Sequence, residues 1–271
     1  MQYDNLYIYY IKGNVTTDRA QLGAAFIGNW QEEDCSFLFF SGPADARVEM
    51  LIAASGGRLL LQDRFCMTYE EWTGGGVAAF TAGGFHVLPP WLTAGEKTNR
   101  SRILLDPGVV FGSGTHATTR DCINAMEAVF SSADIARTID IGCGTGLLSL
   151  VAARMGSRQV LAVDNNHLAV ETTRDNIRLN RLEGRVLAIQ GCAMGCMAVE
   201  ADLVVANIHY DVMKNLIGDP GFRQKKGFVL SGLFRSQAGH IVDNLRHLGA
   251  VIEHQRDYEG VWFTLAGSWR C

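Results

Sequence analysis

The chain has 271 residues, of which 48% are hydrophobic and 19% are charged, and its formal net charge is −4 at pH 7. This composition excludes a disordered chain, and the length allows one sizeable hydrophobic core or two modest ones. The negative balance also argues against a surface that binds nucleic acid mainly through its electric field, so we expect no direct nucleic-acid partner.

The sequence carries no signal for export or for a membrane. No apolar run approaches the ~18–20 residues that a membrane-spanning helix requires, and residues 1–12 lack the basic start and long apolar core of a signal peptide. Seven cysteines, none in a C-x-x-C pair, are typical of reduced thiols in the cytoplasm. Cys192 and Cys196 lie close together, but no histidine follows at ligand spacing. We therefore expect a cytoplasmic protein without a metal site and without membrane contact.

Residues 1–69 predict a small α+β domain. Their short apolar runs predict about four strands, near 6–11, 24–30, 35–40 and 58–62, with a helix near 44–54. A connecting segment of residues 70–100 follows, in which the three glycines at 74–76 are the best linker candidate. Trp72 and Trp91 are expected to anchor this segment.

Residues 101–271 alternate between strand and helix patterns. We predict strands near 137–141, 159–163, 186–190, 202–206, 227–232, 250–255 and 261–266, and helices near 118–131, 147–155, 166–181, 210–217 and 235–248. This alternation predicts an α/β fold with a seven-stranded, mostly parallel, doubly wound sheet. The connection before the last strand is too short for a parallel crossover, so the last strand should be antiparallel.

The most informative segment is Ile139–Gly146, where an apolar strand runs through three alternating glycines into a helix. The next strand ends on Asp164. Glycines let the backbone close on a ligand, a helix start offers free N–H groups, and a carboxylate accepts from ribose hydroxyls. The G-x-G-x-G spacing, with Asp140 two places earlier, resembles the first motif of class I S-adenosylmethionine-dependent methyltransferases. This spacing and the final hairpin both disfavour a nicotinamide dehydrogenase.

Two further segments predict ligand contact. Residues 105–119 form a glycine-rich loop that carries Phe111 and His116 and leads into a helix with Thr118 or Thr119 near its N-cap. The alternative is a capped surface loop without a ligand.

The second segment is the apolar run 203–206, which Asn207 follows. Ligands of open α/β sheets collect outside the carboxyl ends of the strands, which favours a catalytic role for Asn207. The alternative is that Asn207 caps the next helix.

Five segments together resemble one family. They are the loop LDPGVVFGSGTHATT, the motif IDIGCGTGLLSL, the strand end AVD, the run DLVVANI and the late LSGL. Together and in this order, they resemble the bacterial methyltransferases of large-subunit ribosomal protein eleven, the PrmA family, densely over residues 101–271 and thinly before. The resemblance implies S-adenosylmethionine as cofactor and a protein substrate, in particular a ribosomal protein, methylated on lysine or terminal amines. It also implies an amino-terminal substrate-recognition domain of ferredoxin-like form.

The resemblance and the motif also predict the site residues. The family's cofactor contacts fall on Thr119, Gly142, Asp164 and Asn207, with an aromatic residue near the cofactor at Phe111, and the motif itself adds Asp140, Gly144 and Gly146. For catalysis, we expect the side-chain oxygen of Asn207 and the carbonyl of Ile208 to accept the N–H groups of the amine and direct its lone pair at the methyl group. The roles of His116, His209 and Tyr210 stay open at this point.

The chain departs from the family pattern where substrate is recognised. Ser113 stands where the family has threonine, and His209 and Tyr210 stand where it has a small apolar pair. The segment 12–23 also makes a full helix doubtful, since it is short and carries glycine and threonine. Two alternatives therefore remain: the same chemistry on another protein or a small molecule, or a non-catalytic cofactor-binding protein that recruits a partner.

Overall fold

The computed structural model describes residues 3–16, 19–92 and 101–269, except for the side chain of Arg19. The chain divides into two compact units, Met1–Val77 with Asn166–Leu168, and Ala78–Asn165 with Ala169–Cys271. The sequence-based bounds of 1–69, 70–100 and 101–271 stay a prediction. Residues 93–100 of the expected connecting segment lie outside the described residues.

The first unit contains a four-stranded antiparallel sheet. Its elements are β1 (Asn5–Lys12), α1 (Arg19–Leu22), β2 (Phe26–Glu32), β3 (Cys35–Phe40), α2 (Asp45–Ala54), β4 (Leu60–Thr68) and α3 (Tyr69–Trp72). The strand order β2-β3-β1-β4 and the alternation of strands and helices are those of a ferredoxin-like fold. The helix between β1 and β2 is one turn long, as the glycine and threonine content of that segment predicts.

The second unit begins with a small three-stranded sheet that was not predicted from the sequence. β5 (Phe80–Ala82), β6 (Phe85–Leu88) and β7 (Arg102–Leu104) pair in that order, with β6 and β7 parallel. Strands of three or four residues among glycines and prolines are too short for an alternating pattern to emerge. Residues 78–92 therefore carry structure of their own, where the sequence predicted only a connection.

The main sheet of the second unit has seven strands. Its elements are α4 (Ala117–Ser132), β8 (Arg137–Ile141), α5 (Leu147–Met155), β9 (Gln159–Asp164), α6 (His167–Leu179), β10 (Val186–Gln190), β11 (Leu203–Asn207), α7 (Tyr210–Gly218), β12 (Gly227–Phe234), α8 (Arg235–His247), β13 (Ala250–Tyr258) and β14 (Trp262–Trp269). The order is β10-β9-β8-β11-β12-β14-β13, and β14 runs antiparallel to the other six strands. The predicted fold class and the antiparallel last strand are confirmed.

The order of the strands reverses beside β8, which pairs with β9 on one side and β11 on the other. The central strands are buried on both faces: one core joins them to α4, α5 and α6, and the other joins them to α7 and α8. The carboxyl ends of β8, β9 and β11 therefore meet at one edge, which is where open α/β sheets bind ligands. In the described part of the chain, no helix is both long and apolar enough to cross a membrane.

Candidate active site

The glycine loop between β8 and α5 is shaped by contacts that leave no room for side chains. Gly142 and Gly144 have positive φ angles of 69° and 54°. A Cβ atom on Gly142 would lie 2.4 Å from Cγ2 of Ile208, and one on Gly144 would lie 2.5 Å from the backbone oxygen of Phe111. Both positions therefore need glycine, for the left-handed backbone and for the close approach of two other segments.

Asp164 holds this loop from the neighbouring strand. Its Oδ2 accepts a hydrogen bond of 3.0 Å from the N–H group of Gly144. The carbonyl of Val163 accepts two more, from Gly142 at 2.8 Å and from Cys143 at 3.1 Å. The carboxylate that the sequence predicts as a ribose acceptor thus also organises the glycine loop; the ribose role itself stays a prediction.

Asp140 lies beneath the loop and is only 1% exposed. Ser149 donates a hydrogen bond of 2.6 Å to its Oδ2, whereas its Oδ1 is buried without a hydrogen-bond partner among the described residues. Burial raises the pKa of Asp140 to about 6; hydrogen bonds from Ser149 counter this increase, and the charge of Asp164 adds to it. An unpaired buried oxygen of this kind requires an explanation, such as a donor that arrives with a ligand.

The loop of residues 105–116 lies against the glycine loop. The hydroxyl of Thr145 donates to the carbonyl of Gly112 at 2.7 Å. Asn176 donates to the carbonyls of Asp106 at 2.8 Å and Thr145 at 2.9 Å, which joins the two loops through one side chain. The ring of Phe111 is 72% exposed, so its predicted position near the cofactor stays a prediction.

Three buried polar residues on α6 and directly after it were not predicted from the sequence, namely Thr173, Asn176 and Asn180. The hydroxyl of Thr173 donates to the carbonyl of Gly144 at 2.8 Å, and Asn180 exchanges hydrogen bonds with the backbone of Leu104. Their spacing of three and four places them on one face of the helix. That spacing, on a helix face that also carries buried apolar residues, was the sequence signal that could have identified these three residues as buried.

Asn207 ends β11 beside the glycine loop. Its Nδ2 donates a hydrogen bond of 3.3 Å to Oγ1 of Thr118, and the N–H group of Ile208 donates to the carbonyl of Ser231 at 3.3 Å. The N-cap of α7 is His209, without a side-chain capping bond, so the alternative in which Asn207 caps this helix is wrong. The catalytic roles predicted for Asn207 and Ile208 stay predictions.

The threonines at the start of α4 lie within the helix, and its N-cap is His116. The His116 ring accepts a hydrogen bond from the N–H group of Thr118. The ring thus caps the helix, a role that the sequence suggested for a threonine hydroxyl. Thr119 is buried in the same first turn, and its cofactor contact stays a prediction. The Tyr210 hydroxyl lies 2.5 Å from Nδ1 of His240, so it bridges α7 and α8.

The strand order, with an antiparallel β14 between β12 and β13, and the glycine loop at the reversal of that order define a class I methyltransferase fold. Residues 78–269 match the family model of the ribosomal protein L11 methyltransferases (PrmA). The chain belongs to this family, which confirms the resemblance seen in the sequence.

Individual relatives agree with this membership. The chain is 37% identical over 175 residues to the ribosomal protein L11 methyltransferase of an Exiguobacterium species. The aligned segment covers 64% of this chain and 55% of the relative. For the Clostridium botulinum protein of the same name, identity is 33% over 188 residues, or 68% of this chain and 56% of the relative. The chain thus spans about half the length of the curated relatives that it matches.

A solved structure, the ribosomal protein L11 methylase of Lactobacillus delbrueckii subsp. bulgaricus, superimposes with a TM-score of 0.63 at 24% identity. The superposition covers 72% of this chain and 100% of that one. This likeness supports the fold. Within the described residues, no group of three His, Cys, Asp or Glu side chains is placed to hold a metal ion.

The buried carboxyl of Asp140 predicts a pH-dependent stability. Because its pKa of about 6 in the folded state lies above its ordinary value of 3.8, its contribution is fully present below pH ~4 and is lost as the pH rises through 6. The loss amounts to roughly 3 kcal/mol. Urea unfolding of cofactor-free protein from pH 4 to 7.5 measures it. As the pH rises over this range, the free energy of unfolding of Asp140→Asn should increase relative to that of the wild type. Parallel stability curves for the two proteins would contradict the raised pKa of Asp140.

The contacts of Asn176 predict that this residue couples the two loops. Asn176→Ala removes three hydrogen bonds to the backbone, one of them fully buried, which should lower the free energy of unfolding by roughly 2–4 kcal/mol. We also expect about tenfold weaker binding of S-adenosylmethionine, measured by calorimetry. Asn180→Ala is the matched control, since its bonds to Leu104 lie away from the glycine loop. Equal weakening in both variants would refute the coupling.

Proposed function

We propose that this chain is an S-adenosylmethionine-dependent N-methyltransferase that methylates lysine or terminal amines of a ribosomal protein, with ribosomal protein L11 as the first candidate. One observation carries the proposal: Gly142 and Ile208 lie in direct contact, so the glycine loop and the Asn207–Ile208 segment meet at one point of the sheet edge. A cofactor held on the glycine loop therefore faces an amine held on the Asn207–Ile208 segment.

The residues present fit S-adenosylmethionine. The loop backbone at Gly142 is exposed, and Asp164 stands at the end of the adjacent strand, with the two oxygens and several lone pairs of a carboxylate. The unpaired Oδ1 of Asp140 lies behind the same loop and suits a ligand that brings an N–H donor, directly or through water. We assign cofactor binding to these residues together with Phe111, Thr119, Gly144, Gly146 and Asn207.

When bound, the cofactor supplies a methyl group on a positively charged sulfur. A lysine with its usual pKa of ~10.4 is almost entirely protonated at neutral pH, so the site must accept its neutral form and orient it. Asn207 uses its amide nitrogen as a donor to Thr118, which leaves its oxygen to accept an N–H group of the amine. The carbonyl of Ile208 provides a second acceptor, and the two together direct the lone pair.

The substrate is a protein, and we propose that the first unit contributes to its recognition. Its ferredoxin-like strand order is the form expected of a recognition domain in this family. A ribosomal protein as substrate implies a cytoplasmic enzyme, and the net charge of −4 supports contact with protein rather than with nucleic acid.

A second acceptor should be tested because the family match begins at residue 78 and leaves residues 1–77 of the first unit uncovered. The positions after Asn207 also carry His209 and Tyr210. These features favour the alternative in which the same chemistry acts on another protein or on a small molecule.

The decisive experiment is transfer of labelled methyl groups from S-adenosylmethionine to purified ribosomal protein L11 and to a ribosomal fraction, read by mass spectrometry. We expect Asn207→Ala to lower the rate of transfer by about 10²–10³-fold, as loss of an aligned polar group in an active site does. Asn215→Ala, an exposed asparagine on α7, is the control. Label on a different acceptor would support the alternative. Cofactor binding without transfer to any acceptor would refute the proposal that the chain is an enzyme.

Cofactor binding is tested separately at Asp164. Asp164→Asn keeps an oxygen that accepts from Gly144 and removes the charge, so the loop should survive while the ribose contacts weaken. We expect the dissociation constant of S-adenosylmethionine to rise about 10–100-fold, from the loss of charge-assisted hydrogen bonds. Calorimetry measures the constant. An unchanged value would show that Asp164 serves only the loop.

A further inference from the structure

We infer that Thr118 is a positioning residue for Asn207: its hydroxyl holds the amide in the one orientation that presents the oxygen to the substrate amine. This inference rests on the proposed function of Asn207. It concerns a residue that neither the sequence pattern nor the family resemblance singles out for a role in the reaction.

The contacts form a short chain between α4 and the end of β11. Oγ1 of Thr118 lies 3.3 Å from Nδ2 of Asn207 and 2.7 Å from Nδ1 of His116. The N–H group of Thr118 points to the same Nδ1 at 3.4 Å. Thr118 is buried, so water does not compete for its hydroxyl.

The direction of each hydrogen bond in this chain follows from one donor. The backbone N–H group of Thr118 can only donate, so Nδ1 of His116 is an acceptor and carries no proton. The hydroxyl of Thr118 then donates its hydrogen to that nitrogen and keeps its lone pairs for Asn207. An asparagine oxygen turned toward Thr118 would meet a second acceptor, and the amide is therefore held with its nitrogen on this side.

A ring contact holds the His116 end of this series of hydrogen bonds. The ring of His116 meets Trp262 edge to face, with centroids 5.0 Å apart and planes at 87°. On the other side, a Cβ atom on Gly232 would lie 3.0 Å from Oδ1 of Asn207. Among the described residues, none donates a hydrogen bond to that Oδ1. Glycine at this position thus leaves the oxygen uncovered for a substrate N–H group.

Without the hydroxyl, the amide loses its directional constraint. The final side-chain torsion of asparagine is broad and nearly two-fold, so both orientations of the amide, related by a 180° flip, become populated. The reversed amide presents its NH2 group to the amine, where two donors meet. The expected consequence is a lower turnover, with a smaller effect on the binding of S-adenosylmethionine, because Asn207 is only one of the residues that we assign to the cofactor.

The test compares Thr118→Val with Thr118→Ser in the full chain. Valine keeps the branched shape and removes the hydroxyl. We expect kcat to fall about 10–100-fold, and the dissociation constant of S-adenosylmethionine to rise less than it does in Asn207→Ala. Serine restores the hydroxyl and should recover most of the rate. Thr81→Val, an exposed threonine on β5, controls for the substitution itself. If Thr118→Val fails to fold, Thr118→Ala takes its place.

A second measurement does not depend on the methyl acceptor. The side-chain NH2 signals of Asn207 in nitrogen-15 NMR spectra are assigned by their loss in Asn207→Ala, and they should shift in Thr118→Val and return in Thr118→Ser. If the wild type methylates nothing, this measurement still tests Thr118 while the proposed function fails.

The combination Asn207→Ala with Thr118→Val should be no slower than Asn207→Ala alone, since the two side chains act as a unit. A wild-type rate in Thr118→Val, unshifted Asn207 signals, or a full additional loss in the double variant would each overturn the inference.

Discussion

The hydrogen bond from the N–H group of Gly144 to the carboxylate of Asp164 joins the ends of two neighbouring strands, and the site depends on it. It holds the glycine loop in a left-handed backbone that other residues do not readily adopt. Ile208 and the backbone of Phe111 then pack against the bare Cα atoms of Gly142 and Gly144. A side chain on Gly142 would separate the glycine loop from the segment that we assign to the methyl acceptor, and one on Gly144 would push the loop away from the backbone of Phe111.

The topology of the sheet explains why these groups share one edge. The carboxyl ends of parallel strands lie on the same side of the sheet. Because the strand order reverses at β8, the connections that follow β8 and its neighbour β11 run in opposite directions and leave a crevice between them. The antiparallel β14 then begins at this edge, where Trp262 packs against Phe234 with ring centroids 4.4 Å apart. Trp262 also meets His116, so the last strand helps to fix the start of α4 that orients Asn207.

The two units differ in how much the comparisons say about them. The second unit contains the whole glycine loop, and nearly all of it falls within the family match, so its fold and family are established. The first unit has a ferredoxin-like strand order, but its sheet, within residues 1–77, lies outside that match. In the function that we propose, cofactor binding and methyl transfer belong to the second unit, and the first unit contributes to recognition of the acceptor.

The sequence by itself determined the fold class and the positions of Asp140, Asp164 and Asn207 at or near strand ends. It also determined the bounds of most of the longer elements to within a few residues; the exception is β4, which was predicted at 58–62 and runs to Thr68. These features follow from local signals, namely apolar periodicity and glycine spacing. Only the tertiary structure decided the insertion of β14 between β12 and β13 and the small sheet of β5, β6 and β7. It alone also revealed the bond between Thr118 and Asn207, which lie 89 positions apart. Such contacts depend on how distant elements pack, and no local pattern encodes them.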